Sequence, residues 1–266
     1  MKKRSVLAFM ACVFILAQLA ACGPKEPPQP SQPPESPVAE EPGEPVGQPE
    51  YYAFETVLYA KDDIVIKYPR IIEGAGDLEA MSALIEEAAR RDLSFIENDE
   101  RSYAYELDYQ VTYNAPGLIS VLFSGYRSPY GAAHPTYFLR TITLDTAKAQ
   151  TVRLGDLVTI DEAFAEAVKN GRYTLLHEEM SQEYIDAVRS LIEDMGAETW
   201  LERLRQTDDP AAEECSYLTE TALGISIPVP HVLGGHIEIL LDYADLEPYR
   251  APGSLLPRGE GQGSGS

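Results

Sequence analysis

Three histidines are spaced so that a folded chain could bring them to one metal ion. His231 and His236 lie on either side of Gly234-Gly235, in a predicted hairpin loop, and His134 lies near the start of a predicted strand. Catalytic zinc sites often use three protein ligands and keep one coordination position open. The alternative is structural: His134 hydrogen-bonds a neighbouring turn and fixes the start of its strand.

Other patterns with catalytic potential are incomplete. His177-Glu178-Glu179 lacks the second histidine that a zinc-protease helix carries four residues after the first. Cys215 follows Glu213 and Glu214, whose charges disfavour a thiolate, and no histidine partner is evident. No Gly-x-Ser-x-Gly elbow occurs. We therefore predict no catalytic residue, no cofactor and no bound metal.

Aromatic and basic side chains near His134 are better candidates for contacting a ligand. The predicted ligand-binding residues are Arg127, Tyr130, His134, Tyr137, His231 and His236, with Tyr126 beside them. A separate row of aromatic residues, Tyr103–Tyr113, alternates with polar residues. This row is either a platform for stacking sugars or, as we expect, one face of a core beneath helices.

The start of the chain has the three parts of an export signal. Basic residues at Lys2–Arg4 precede an apolar run, Val6–Leu19, which is shorter than the roughly 20 residues that span a bilayer. The run ends in Leu-Ala-Ala-Cys, where a thiolate can accept lipid after cleavage. We predict a lipoprotein signal peptide at residues 1–21 and a lipid anchor on Cys22, which holds the protein at the extracytoplasmic face of a membrane.

The chain is strongly acidic, with 43 acidic and 21 basic residues and a formal net charge of −22. Removal of residues 1–21 takes away three basic residues and no acid, so the mature charge becomes −25. Such a charge excludes nucleic acid as a partner and favours either basic partners or simply solubility. Because Cys12 lies in the signal and Cys22 carries lipid, Cys215 has no disulfide partner, and the fold must depend on a core.

Low-complexity segments flank a central folded part. Residues 22–50 form a predicted disordered tether, since 23–50 contain ten of the 20 prolines, six glutamates and no aromatic residue. Residues 251–266 are rich in Gly and Ser and predict a flexible tail. Between them, strand and helix patterns predict an α+β fold: antiparallel sheets with helices packed on one face, in two small adjoining subdomains.

Alternating apolar residues predict strands, and apolar residues at helical spacing predict helices. The predicted strands are Tyr51–Ala60, Ile64–Tyr68, Tyr103–Tyr113, Leu118–Tyr126, Thr136–Asp145, Leu223–Val229 and Ile237–Tyr243. The predicted helices are Asp77–Ile96 with Asp77 as its cap, Asp161–Asn170 closed by Gly171, Tyr173–Met195, and a further turn or two around Trp200 and Leu204.

Two stretches carry a family resemblance. Ile64–Glu73 with the capped helix after it, and Tyr109–Gly125, resemble the small extracellular domain that precedes the catalytic module of PdaC-type peptidoglycan deacetylases. The segment from Gly131 to Pro135, followed by Thr143-Leu144-Asp145 and Val152–Leu157, resembles the adjoining RsiV-type domain. We accordingly place a PdaC-like domain at residues 51–128 and an RsiV-like domain at 129–250.

The resemblance implies a fold, an extracellular location and a binding role. This two-part unit occurs in deacetylases, in lysozyme-sensing anti-sigma factors and on lipoproteins, and in the sensors it binds lysozyme. The sequence shows neither a deacetylase module nor a sigma-binding segment, so neither catalysis nor signalling is expected to carry over. Our main hypothesis is a non-catalytic, lipid-anchored module that binds a cell-wall component such as peptidoglycan or a basic, lysozyme-like protein. The alternatives are a metal-dependent hydrolase of cell-wall glycan and a structural subunit of an envelope complex.

Overall fold

The computed structural model describes residues 51–99, 103–132, 134–174, 181–230 and 233–259. The predicted signal peptide, the lipid site at Cys22 and the tether lie outside these ranges, and so do His177 and His231. None of the helices in the described ranges has the length and apolar character that crossing a membrane requires.

The first sheet contains six strands within the described residues, in the order β1-β2-β3-β4-β5-β6. Their bounds are β1 Ala53–Lys61, β2 Ile64–Glu73, β3 Tyr103–Ala115, β4 Leu118–Pro129, β5 Thr136–Asp145 and β6 Gln150–Thr151. Tight turns join β1 to β2 and β3 to β4, where Asp62 (φ 52°) and Gly117 (φ 94°) adopt the left-handed conformation that such turns use.

One pair in this sheet is parallel. Helices α1 (Leu78–Arg90) and α2 (Leu93–Asn98) carry the chain from the end of β2 back to the start of β3, so these two strands run in the same direction. The side chain of Asp77 accepts a hydrogen bond from the Ala80 amide at 3.0 Å, which confirms it as the cap of α1.

The prediction of a single helix over Asp77–Ile96 is wrong in one respect. The structure has two helices in this region, α1 and α2, which are separated by Arg91 and Asp92. At this break the Asp92 carboxylate contacts the guanidinium of Arg140, which projects from β5. A helical pattern in the sequence contains no information about this tertiary ion pair.

Helix α1 covers one face of the first sheet and encloses a core with it. The fully buried side chains of this core include Ile66, Met81, Ile85, Leu107, Ile119, Val121, Phe123 and Leu144. Tyr103 and Tyr105 are also buried there, so this end of the tyrosine row belongs to the core. Tyr109 and Tyr113, further along the row, are half-buried.

The second sheet has the strand order β7-β10-β9-β8 within the described residues. Its strands are β7 Arg172–Thr174, β8 Cys215–Leu218, β9 Ala222–Pro228 and β10 His236–Asp242. The long helix predicted from Tyr173 is therefore wrong at its start, because Tyr173 pairs with Ile239 of β10. Within the described residues, the later part of this apolar stripe lies on a helix that begins at Gln182.

Helices cover the outer face of the second sheet. They are α3 Leu154–Leu157, α4 Glu162–Lys169, α5 Gln182–Glu193 and α6 Ala197–Gln206, and a 3-10 helix, Tyr243–Tyr249, follows β10. Trp200 is fully buried, and its indole N–H donates to the Ile192 carbonyl at 3.2 Å, which ties α6 to α5. The helices and the sheet enclose the larger of the apolar cores. Mixed α+β architecture with antiparallel pairing is thus confirmed.

The inner face of the second sheet packs against β4 and β5. Leu122 and Leu139 of the first sheet meet Cys215 and Tyr217 of the second. The Ser120 hydroxyl accepts from the Leu218 amide at 3.0 Å and shares a 2.9 Å hydrogen bond with the Thr143 hydroxyl. The predicted domain boundary near residue 128 lies at the end of β4. The first sheet continues past this boundary, because β5 and β6 belong to it as well.

Gly125 in β4 marks a close approach between strands, and replacing it should destabilise the sheet. A Cβ at this position would lie 2.3 Å from the Glu106 carbonyl oxygen. Because backbone must move to relieve this clash, we expect Gly125→Ala to lower the free energy of unfolding by about 1–3 kcal/mol. Urea denaturation measures this change. Ser124→Ala, the matched control on the same strand, should stay within about 0.5 kcal/mol of the wild type; equal midpoints for Gly125→Ala and wild type would contradict the prediction.

Candidate functional site

The β4–β5 hairpin carries four of the predicted ligand-binding residues. Arg127 lies near the end of β4, Tyr130 and His134 lie in the connection, and Tyr137 lies in β5. Tyr130 is 59% exposed and Tyr137 is 54% exposed, so these rings face solvent. Tyr137 is paired across the hairpin with Tyr126, and their ring centroids are 6.2 Å apart. We call this region, residues 126–137 of the hairpin, the hairpin surface.

Neighbouring acidic groups hold the hairpin surface in place. The Tyr130 hydroxyl donates to the carboxylate of Asp63 in the β1–β2 turn. This hydrogen bond raises the pKa of Tyr130, and the nearby charges of Asp63 and Asp62 raise it further. Arg127 Nη2 lies 3.4 Å from Glu213 Oε1, so its charge is neutralised locally. The surface therefore combines exposed aromatic rings with acidic side chains.

His236 lies at the start of β10, close to a buried carboxylate. Its Nε2 is 3.1 Å from Oε1 of Glu238, a residue that is fully buried. This contact lacks hydrogen-bond geometry: neither carboxylate oxygen of Glu238, nor Nδ1 of His236, has a hydrogen-bond partner among the described residues. The β9–β10 loop lies beside the hairpin surface. Gly235 in this loop is so close to Tyr137 that an added Cβ would lie 3.8 Å from the Tyr137 carbonyl oxygen.

Two of the three histidines in the zinc hypothesis, His134 and His236, lie in the described part of the chain. In the described part of the chain, no group of three or more His, Cys, Asp and Glu side chains is arranged to hold a metal ion. His134 is exposed in the hairpin connection, and His236 contacts Glu238. The third member of the hypothesis, His231, lies outside the described residues.

Cys215 is buried between the two sheets. Burial raises the pKa of its thiol from 9.0 to about 12. Hydrogen bonds with Thr141 and Ser226 act in the opposite direction but are weaker than the effect of burial. The group is thus a neutral thiol at physiological pH, and it lacks the thiolate that nucleophilic chemistry requires.

A cavity with a volume of about 680 Å³ lies at the edge of the first sheet. Arg90, Arg91, Arg140 and Arg153 are among the residues that line it, but the guanidinium of Arg90 lies over the rings of Tyr59 and Tyr68. Thr207, Asp208, Pro210 and Ala211, which follow α6, also line it. We call it the arginine cavity. Its volume falls in the range of about 300–1,000 Å³ that is typical of small-molecule sites.

Arg140 is the most buried of these arginines. The Asp92 carboxylate contacts its guanidinium, the Tyr105 hydroxyl lies 3.4 Å from Nη1, and the Phe138 ring centroid lies 4.8 Å from Cζ. Burial lowers the pKa of Arg140 to about 9, and repulsion from Arg91 adds to this shift. Arg140 remains charged at neutral pH because the ion pair with Asp92 opposes deprotonation.

Sequence reasoning did not identify the arginine cavity. Its lining comes from helix, strand and loop segments that are far apart in the chain, so no local motif links them. One signal was present: Arg140 occupies the face of β5 that otherwise carries Phe138, Ile142 and Leu144. A charged residue at an apolar position of a strand indicates a buried ion pair or a ligand.

Cys215 should be inert in the folded protein. Because its thiol is buried and its pKa is raised, we expect no alkylation by iodoacetamide at pH 8, and complete alkylation of the same peptide in denaturant. Mass spectrometry of the Cys215 peptide measures both. The Cys215 thiol loses its proton at a higher pH in the folded state than in the unfolded state. The free energy of unfolding should therefore fall as pH rises from about 9 towards 12. Stoichiometric labelling of the native protein would contradict this assignment.

Several solved structures are similar to this chain, and two of them are DUF3298 family proteins. No family model matches the chain, and no curated protein matches it. A DUF3298 family member from Bacteroides fragilis has 15% identity and a TM-score of 0.47, with 77% of this chain and 96% of that protein covered. A DUF3298 family protein from Pseudomonas aeruginosa has 16% identity and a TM-score of 0.47, with coverage of 79% and 98%. The likeness concerns the course of the backbone and assigns no function.

Proposed function

We propose that this chain is a non-catalytic binding module, anchored by lipid on Cys22 at the extracytoplasmic face of a membrane. Its ligand is a wall-targeting protein of basic, lysozyme-like character, or else a component of the cell wall such as peptidoglycan. The observation that carries the proposal is the hairpin surface, where exposed tyrosines lie among carboxylates.

The tyrosines supply contact area on a rigid support. Tyr126 and Tyr137 are neighbours in a hydrogen-bonded pair of strands, so little side-chain entropy is lost when a partner covers them. Tyr130 is held by its hydrogen bond to Asp63. Aromatic residues with a polar group are enriched among the residues that dominate binding energy in protein interfaces.

The charges around these rings favour a basic partner. Asp62 and Asp63 act on Tyr130, Glu106 acts on Tyr126, and Glu213 neutralises Arg127. Together with the mature net charge of −25, this arrangement steers a basic protein towards the surface. Electrostatic steering raises the association rate at low salt and weakens as salt screens the charges.

Removal of one exposed ring should weaken binding at the hairpin surface. We expect Tyr137→Ala to reduce retention of purified lysozyme or of peptidoglycan fragments about tenfold, since truncating an interface aromatic commonly costs more than 1 kcal/mol. A pull-down at low and at physiological salt measures this. Tyr51→Ala is the matched control, because Tyr51 is 58% exposed but precedes β1. Absence of retention of either ligand by the wild type at low salt would refute the proposal.

The lipid anchor has a separate test. Cys22→Ser removes the thiol that accepts lipid, so the variant should leave the membrane fraction and appear in the soluble fraction of the envelope. Immunoblots of the two fractions measure its distribution. Cys12→Ser, within the predicted signal peptide, should remain with the membrane. Equal membrane association of the Cys22→Ser variant and the wild type would exclude anchoring at this residue.

A further inference from the structure

The first sheet ends in a long strand whose outer edge has no partner strand in the described part of the chain. Strand β1 has nine residues and, among the described residues, pairs only with β2. The other outer strands are shorter, since β6 has two residues, β7 three and β8 four. Proteins keep sheet edges from pairing with other chains by making them short or by placing charged residues or proline in them. The middle of β1, Thr56–Ala60, contains neither charge nor proline.

The backbone groups at this free edge belong to alternate residues of β1. The Asp63 carbonyl accepts from the Tyr105 amide of β3 at 3.0 Å, so the next residue, Ile64, directs its backbone towards β1. Ile64 is paired with Lys61, and the pairing continues residue by residue along the two strands. Every second residue of β1 therefore bonds to β2. The residues between them offer their N–H and C=O groups to the free edge, and these are Phe54, Thr56, Leu58 and Ala60.

The low-complexity ends of the chain do not suit this edge. Residues 23–50 contain ten prolines, and their longest run without proline is the four residues of Val38–Glu41. Proline has no N–H group with which to extend a ladder of strands. The last residues of the chain are mostly Gly and Ser, which lack the side chains that favour strands. A strand that matches β1 is therefore sought in another chain, and β1 itself is self-complementary.

Two copies of β1 can pair antiparallel about a two-fold axis, with Leu58 opposite the partner's Leu58. This register places the backbone groups of the two free edges opposite one another, as an antiparallel ladder requires. The Leu58 side chain is 61% exposed, and the partner's Leu58 would cover it. Because the contact is symmetric, every other pair of residues in it occurs twice.

The same register gives complementary pairs on the face of β1 that packs against α1. Val57 lies opposite the partner's Tyr59, and Glu55 lies opposite the partner's Lys61. Pairs of an aromatic with a β-branched residue, and pairs of opposite charge, stabilise a sheet. Val57 also lines a cavity of about 460 Å³ between β1, β2 and α1, which leaves room beside it for an aromatic ring. The neighbouring registers place Lys61 opposite Ala53 or Val57 and lose the charge pair.

Ion pairs within each copy extend this charge complementarity. Arg70 Nε is 2.6 Å from Glu55 Oε1, and Lys61 Nζ is 2.6 Å from Glu97 Oε1. Pairing Glu55 with the partner's Lys61 therefore produces a row of four side chains in which basic and acidic groups alternate. The row occurs on both sides of the two-fold axis.

We propose that this protein forms a symmetric homodimer in which the β1 strands of two copies pair antiparallel from Glu55 to Lys61. The pairing joins the first sheets of the two copies into one continuous sheet. This inference goes beyond the proposed function and does not depend on the hairpin surface.

Leu58 tests the proposal because it would meet its own copy in the partner. Sedimentation equilibrium of the mature chain with Cys22→Ser, which keeps it in solution, should show dimers as the concentration rises from about 1 µM to about 1 mM. Leu58→Lys and Leu58→Glu should each remain monomeric, since like charges directly opposite destabilise a strand pair. Mixed in equal amounts, the two variants should form a heterodimer. Ile72→Lys is the matched control and should dimerise as the wild type does, because Ile72 is 54% exposed but lies in β2.

Crosslinking tests the register. Opposite residues in a hydrogen-bonded pair have Cα atoms about 5.5 Å apart, which is within the span of a disulfide. In oxidised glutathione, Leu58→Cys should therefore form a disulfide-linked dimer. Thr56→Cys should not form one alone, but it should crosslink to Ala60→Cys when these two variants are mixed. The native Cys215 is buried and stays out of this reaction.

Three outcomes would overturn the proposal. A wild type that stays monomeric at the highest concentration would mean that β1 does not pair with itself, and would leave its edge to a strand of another protein. A dimer that persists in Leu58→Lys would lie on a different surface. Crosslinking of Thr56→Cys to itself as efficiently as Leu58→Cys would exclude the proposed register.

Discussion

From Leu139 onwards, strand β5 lies between helix α1 and the second sheet, so the polar side chains that are buried there need partners in other elements. Arg140 faces α1 and is paired with Asp92, while Thr143 faces the second sheet and shares a hydrogen bond with Ser120. At the end of the strand, Asp145 accepts from the Ala147 amide at 3.0 Å and from the Lys148 amide at 3.1 Å. An unpaired buried polar group costs about 1–3 kcal/mol, so the partners at the helix break and at the contact between the sheets are needed to keep this strand buried.

The same strand connects the two candidate binding regions. Its first residues, with Tyr137, belong to the hairpin surface, and Arg140 to Thr143 contribute to the arginine cavity. The hairpin presents tyrosines among carboxylates, whereas the cavity combines arginines, carboxylates and aliphatic walls. Exposed charges are screened beyond about 8–10 Å at physiological salt, so the net charge steers a partner from a distance mainly at low salt, and local groups act on contact.

The fold could be predicted from the sequence where local chemistry determined the structure. Asp77 was predicted as a helix cap, and its side chain accepts a hydrogen bond from the amide three residues later. Asp161, where the next helix was predicted to begin, makes the same contact with the Phe164 amide. Prediction failed where a distant partner decided the outcome. Tyr173 begins an apolar stripe at helical spacing, yet its backbone pairs with Ile239, because strand pairing with β10 outweighs a local preference. Arg91 and Arg153 carry no local sign of meeting in one cavity.

Packing requirements explain some of the clustered arginines and leave others unexplained. Arg90 lies in the last turn of α1, where a cation interacts favourably with the helix dipole. Arg140 has a buried ionic partner, although an apolar pair of similar volume at such a position is often as stable or more stable. Arg153 precedes α3, so the dipole argument does not apply to it. Burial lowers the pKa of Arg91 and raises that of Asp208, and a nearby opposite charge opposes each shift: Asp209 for Arg91, and Arg153 for Asp208. Acidic neighbours therefore offset the positive charge that the fold brings together here, which is why these arginines can lie near one another.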